Sequence, residues 1–129
     1  MKEKTFSSPT GTATFKNGIM TIHYNHTILT VAEAQTWTDD FNREFSEYLP
    51  VPMLINISKH KSFPKEVRDF MNSPQIISSM KAAAMVADSI MTRILGNIFM
   101  TMSKPPMPAK LFADETTATA WLQQFIDKK

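Results

Sequence analysis

The sequence predicts one α/β domain, a single mixed β-sheet of about five strands covered by about four helices. Three observations carry that prediction. An Asn-Gly pair, Asn17-Gly18, sits between two β-prone runs. Apolar stripes at helical spacing stand behind recognisable capping residues, and short, almost wholly apolar runs alternate with them. The chain is 129 residues long, 43% hydrophobic and 20% charged. Such a chain buries roughly two-thirds of its unfolded surface, enough for a core without covalent staples.

The first element is a hairpin. Thr12 to Phe15 lead into Lys16, Asn17 and Gly18, and Ile19 to Tyr24 follow. Asn-Gly suits a type I′ turn because both central residues must take positive φ. Residues 1–9 are read as a flexible N-terminal segment. Thr30 to Glu33 (TVAE) fits a capping box, with the Thr30 hydroxyl accepting the third N–H and Glu33 reaching back. Behind it Val31, Ala34, Trp37, Phe41, Phe45, Tyr48 and Leu49 fall within about 120° of one helical face, and Pro50 and Pro52 stop the helix.

Val51 to Ile57 (VPMLINI) is a strand-length apolar run of the kind that is covered on both faces, with Pro52 tolerated at its start. Pro64 opens a helix carrying Val67, Phe70 and Met71, which Asn72 to Pro74 break; Gln75 to Met80 form another short turn or two. Ala82 to Ala87 (AAAMVA) is helical by propensity alone. It is read as a strand because it is short and apolar, and small residues suit a crowded central position. Met91, Ile94, Leu95, Ile98, Phe99 and Met102 form a helix stripe that Lys104 to Pro108 (KPPMP) ends. Ala109 to Phe112 make a last strand. Asp114 caps a final helix whose Ala118, Trp121, Leu122, Phe125 and Ile126 share a face. Strands alternating with helices then imply right-handed crossovers.

Four pieces of this order occur with particular residues: Pro50 to Ile57 (PVPMLINI), the short helix ending Val67 to Phe70 (VRDF), Ala82 to Asp88 leading into Leu95 to Phe99 (LGNIF), and the tail with Lys104 to Pro108, Lys110 to Phe112 and Ala120 to Leu122. Together they resemble the STAS fold (sulphate-transporter and anti-sigma-factor antagonist), and within it the small bacterial stage-II-sporulation-AA-like (SpoIIAA-like) proteins. The resemblance spans nearly all of the chain after Thr10. It implies a non-catalytic regulatory or binding module that recognises a protein partner or a small apolar or anionic ligand, on a fold related to CRAL-TRIO-like lipid-binding domains. The phosphate-accepting Asp-Ser-Ser-Gly motif of anti-sigma antagonists is absent, since the corresponding stretch reads Ser62 to Val67 (SFPKEV).

The residues themselves exclude several chemistries. Zero cysteines remove disulfides and thiolate sites, and a net charge of +2 spread along the chain gives no basic face for nucleic acid. No secretory signal is read at the N-terminus, and Ile90 to Met102 falls short of the ~18–20 residues of a spanning helix, so a cytoplasmic protein without a transmembrane segment is expected. Three glycines make no phosphate-cradling loop. No cofactor is implied. His23 and His26, three apart, point to opposite faces of an extended strand and are read as strand-end surface residues rather than a metal pair. Asp39 and Asp40 are adjacent and share no helix face.

What remains is a tentative ligand- or partner-binding set, Ser58, Lys59, His60, Ser62, Arg68, Asp88 and Ser89. It lies where open α/β sheets place ligands, beyond the carboxyl ends of strands. Lys59, His60, Lys61, Lys65 and Arg68 surround a helix N-terminus and suit an anion, against the plainer reading of a solvated loop. Ser58 or Ser89 with His60 is the alternative of a small serine hydrolase, although no G-x-S-x-G elbow is present; capping accounts for Ser62 and Ser89 as well. Ten methionines, six of them between Met80 and Met107, mostly fall on the buried stripe. Met100, with Arg93, Gly96 and Asn97, lies on the opposite face, where a second copy (a homodimer), a partner or an apolar ligand is expected to dock.

Overall fold

The computed structural model describes residues 3–57, 64–87 and 107–126. It holds one six-stranded sheet in which spatial order equals chain order. The strands are β1 (Lys4–Ser7), β2 (Gly11–Lys16), β3 (Ile19–Tyr24), β4 (Val51–Asn56), β5 (Met80–Val86) and β6 (Ala109–Phe112). β1, β2 and β3 pair antiparallel; β3, β4, β5 and β6 pair parallel. The described helices are α1 (Val31–Phe45), α2 (Lys65–Met71), α3 (Pro74–Ile77) and α4 (Glu115–Leu122). The helix expected over Met91 to Met102 lies outside the described residues.

The hairpin forms as its dipeptide dictates: Asn17 has φ 53° and Gly18 φ 84°, the left-handed values of a type I′ turn. Residues 4–7, read from sequence as part of a flexible segment, instead form edge strand β1. Two anchors hold it: Phe6 stacks on Trp37 at 6.0 Å, and the Lys4 ammonium donates to the Glu44 carbonyl at 2.7 Å. Neither contact leaves a local pattern in the sequence.

Alternation divides the sheet into two faces. On the first, Ala13, Phe15, Met20, Ile22, Tyr24, Val51 and Met53 pack under Ala34, Trp37, Phe41 and Phe45 of α1 and Val67 of α2. Val31, expected on that stripe, is 36% exposed at the rim, while Thr38 is buried. The helix ends at Phe45, and a 3-10 turn, Ser46–Tyr48, carries the Tyr48 ring onto Phe15 at 4.7 Å. On the second face Ile19, Leu54, Ala82, Ala84, Val86 and Phe112 pack under Ala118 and Leu122 of α4.

Strand β4 is covered on both faces, as its apolar run requires. Its Pro52 is the second residue of the strand and falls at a register shift between Val51 and Pro52, the kind of position where proline is tolerated. The alanines of β5 explain why helix propensity loses. Ala82 and Ala84 are completely buried beneath α4, and a sheet position pressed by a helix accepts a methyl better than a branched chain. Asp114 caps α4 by accepting from Thr117 N at 2.8 Å.

Candidate functional site

Because β3 to β6 run parallel, their carboxyl ends share one edge of the sheet, the place where α/β folds present ligand sites. His23 is the penultimate residue of β3, Asn56 the last of β4, and Glu115 the first of α4. Register puts His23 beside Asn56. Both side chains point to the second face, the one under α4, because Leu54 does and the strand period is two. The Asp114 cap starts α4 immediately after β6 and places Glu115 over that row.

The three side chains converge on one oxygen. Glu115 Oε2 lies 2.6 Å from His23 Nε2 and accepts from Asn56 Nδ2 at 2.6 Å. Burial pushes the Glu115 carboxyl up, but the hydrogen bonds from Asn56 and His23 and the imidazole charge outweigh it and hold the group below its ordinary value. Glu115 is therefore ionised at neutral pH and has no proton to give, so His23 Nε2 carries the hydrogen. The other ring nitrogen, Nδ1, is an acceptor in the neutral imidazole and a second donor in the protonated one. The site is open to solvent, with the His23 and Glu115 side chains 50% and 41% exposed.

The polar row continues along the antiparallel strands. Ser7 opposes Thr12, and Thr12 opposes His23, with the Ser7 and Thr12 hydroxyls 3.1 Å apart. A second histidine–glutamate pair occupies the first face. His26 Nε2 lies 2.5 Å from Glu33 Oε2, which also accepts from the Thr10 hydroxyl at 3.2 Å. Thr30 caps α1 as expected, accepting from Glu33 N at 3.1 Å. The return half of the box is absent: the Glu33 carboxylate turns to Thr10 and His26, partners supplied by the fold. The two histidines do point to opposite faces. Among the described residues no group of three His, Asp or Glu can hold a metal ion.

Of the residues expected at the site, Arg68 is described and stands exposed on α2, apart from the cluster on the other face. Its neighbour Lys65 pairs with Asp69 at 2.8 Å. Ser58, Lys59, His60, Ser62, Asp88 and Ser89 lie outside the described residues, as do Arg93, Gly96, Asn97 and Met100. The ends to which residues 58–62 and 88–89 attach are adjacent on the sheet, with Ile57 N donating to Val86 O at 2.8 Å. Sequence reasoning missed Asn56 and Glu115. The one available signal was a lone amide closing an apolar strand; Glu115 read only as the residue after a cap.

A family model matches residues 13–126. The chain belongs to the family described as a domain of unknown function, DUF7793. Among solved structures, this DUF7793 chain is similar to that of an uncharacterized protein of the DUF3478 family from Shewanella loihica PV-4, described as having a SpoIIAA-like fold. The TM-score is 0.61 at 14% identity, over 94% of this chain and 92% of that one. That likeness establishes the SpoIIAA-like fold for the DUF7793 chain. No curated protein matches it.

Proposed function

We propose that this DUF7793 domain is a non-catalytic binding module that takes a small molecule at the carboxyl edge of its sheet. One observation carries the reading: His23 and Asn56, which are 92 and 59 residues from Glu115 in the chain, meet on a single oxygen of its carboxylate. Ordering three side chains from three elements costs entropy that an exposed, purely structural contact recovers poorly. A pre-positioned group with open lone pairs is what recognition needs. The anionic ligand expected from the Lys59 to Arg68 cluster has less support, since Lys65 is engaged by Asp69. The sequence supports a non-catalytic role through its lack of a nucleophile elbow and a phosphate loop.

The test is native mass spectrometry of gently purified protein, followed by denaturing mass on the same sample. Extra mass that disappears on denaturation, and is lost in Asn56→Ala, supports the module. A doubled mass would instead assign this chain to self-association, and clean monomer mass to neither, which overturns small-molecule carriage. Covalent labelling by a fluorophosphonate serine probe would overturn the non-catalytic reading.

A further inference from the structure

We infer that Asn17 is a modification site, where asparagine converts to isoaspartate with water as the co-reactant, at a rate set by opening of the β2–β3 turn. The turn lies at the amino edge of the parallel strands, away from the binding edge, and the inference stands independently of the function proposed above. The reaction needs a carboxamide free to turn and a free N–H on the next residue. Asn17 is exposed, and its side chain makes no hydrogen bond among the described residues. Lys16 and Ile19 close the ladder, so the Gly18 N–H falls outside it and has no partner among the described residues. Gly18 also has no side chain to obstruct the attack. Every other described asparagine lacks one of the two requirements. Asn25 Nδ2 donates to the Ser8 and Pro9 carbonyls at 3.3 and 3.1 Å. Asn56 Nδ2 donates to Glu115, and the N–H of Ile57 to Val86 O. Asn72 Nδ2 donates to Arg68 O at 3.0 Å, and Ser73 N to Phe70 O at 3.0 Å. Asn42 lies inside α1, where the Arg43 N–H belongs to the helix ladder.

In the step itself the Gly18 nitrogen gives its proton to water and bonds to Asn17 Cγ. The Cγ–Nδ2 bond breaks, and Nδ2 takes up a proton and leaves as ammonia. A water molecule then opens the five-membered imide. Cleavage at the main-chain carbonyl leaves Gly18 attached through Cγ, which is isoaspartate; cleavage at Cγ gives aspartate. Isoaspartate adds one methylene to the backbone and one negative charge to a loop whose length sets the strand register.

The folded turn holds this reaction back. Type I′ is the mirror image of type I, so ψ at Asn17 is about +30°. That places the Gly18 nitrogen nearly opposite Cβ about the Cα–C bond, whereas ring closure needs the two eclipsed. The left-handed pair, φ 53° at Asn17 and 84° at Gly18, must therefore give way first. Ile126 opposes the movement, since its side chain packs so near Gly18 that a Cβ there would meet its Cγ2 at 2.9 Å.

The test is peptide mapping by mass spectrometry, with fragmentation that separates isoaspartate from aspartate, on the full chain aged at neutral pH with and without concentrated guanidinium chloride. Isoaspartate is expected at Asn17 ahead of Asn25, Asn42, Asn56 and Asn72. In the folded chain it should form roughly tenfold or more slowly than in denaturant, the factor that an opening cost of about 1.4 kcal/mol imposes. Ile126→Ala should speed the conversion in the folded chain and leave the rate in denaturant unchanged. If that variant does not fold, the folded and denatured rates of the unaltered chain decide alone. Absence of isoaspartate at Asn17 in the folded chain, or faster conversion at another of these asparagines, would overturn the site. Equal rates with and without denaturant, or a folded Ile126→Ala chain that ages no faster than the natural one, would overturn its control by the turn.

Discussion

Leu122 tests whether α4 is bound to the second face strongly enough to position Glu115. Its side chain is fully buried against Leu54, Ala82, Ala84, Val86 and Phe112. Leu122→Ala removes three carbons from a site where Ala82 and Ala84 offer only methyls on a fixed sheet, so Leu54, Val86 and Phe112 can refill the space only in part. The cost should therefore lie within the ~2–5 kcal/mol range for buried leucine truncations, near about 3 kcal/mol. With unfolding entropy of roughly 2.1 cal/mol/K per residue, a chain of 129 residues has about 0.27 kcal/mol/K. A loss of about 3 kcal/mol then lowers the melting temperature by roughly 11 °C. Differential scanning calorimetry reads the shift, and urea unfolding reads the free energy independently. Gln124→Ala, on the exposed side of the same C-terminal turn, should stay within about 0.5 kcal/mol. A Leu122→Ala cost under about 1 kcal/mol would mean that α4 is only loosely held, and the reasoning that fixes Glu115 over β3 and β4 would fail with it.

Other consequences are equally direct. Glu115, held below its ordinary carboxylate value, contributes stability that is present above the unfolded value of 4.5 and lost as pH falls through the lower folded value. Urea midpoints of the natural chain and Glu115→Gln should thus differ at pH 6 and converge in acid, and a constant difference down to pH 2 would refute this. A Cβ at Gly11 would lie 2.6 Å from the His23 carbonyl oxygen, so Gly11→Ala should cost about 1–3 kcal/mol in the same assay; a neutral result would show that the β2–β3 ladder yields freely. Thr30→Ala removes the hydroxyl that accepts from Glu33 N and should cost about 0.5–2 kcal/mol, while Thr30→Ser retains most of the stability. Equal losses in both would assign the effect to packing rather than the cap.

Much of the architecture is legible in the residues because local and global preferences agree. Asn17-Gly18 could close only a tight hairpin, Asp114 and Thr30 announce their helices, and the stripe from Ala34 to Phe45 has one side to bury. The Ala82 to Ala87 strand is harder: its propensity is helical, and only the load of α4 on Ala82 and Ala84 decides for extension. β1 is illegible locally, since four residues of mixed character become a strand only when Trp37 and the Glu44 carbonyl receive Phe6 and Lys4. The candidate site is legible only as a place, the carboxyl edge. His23 was visible and set aside as a surface residue, because its carboxylate partner is 92 positions away. Pair contacts across the fold leave no spacing to read.

The chain-order arrangement of the strands bears on how the molecule is made. Every strand leaving the ribosome finds its sheet neighbour already synthesised, and none has to be inserted between two others. Each closure therefore joins segments consecutive in the chain and keeps its loop entropy small. The face under α1 acquires β1 to β4 and its helix early. Among the described residues the other face, with Ile19, Leu54, Ala82, Ala84 and Val86, is covered by α4, which follows all six strands in the chain. Among the described residues α4 is the element that covers that face, so a nascent chain halted before Glu115 is expected to aggregate more readily than one that has gained α4.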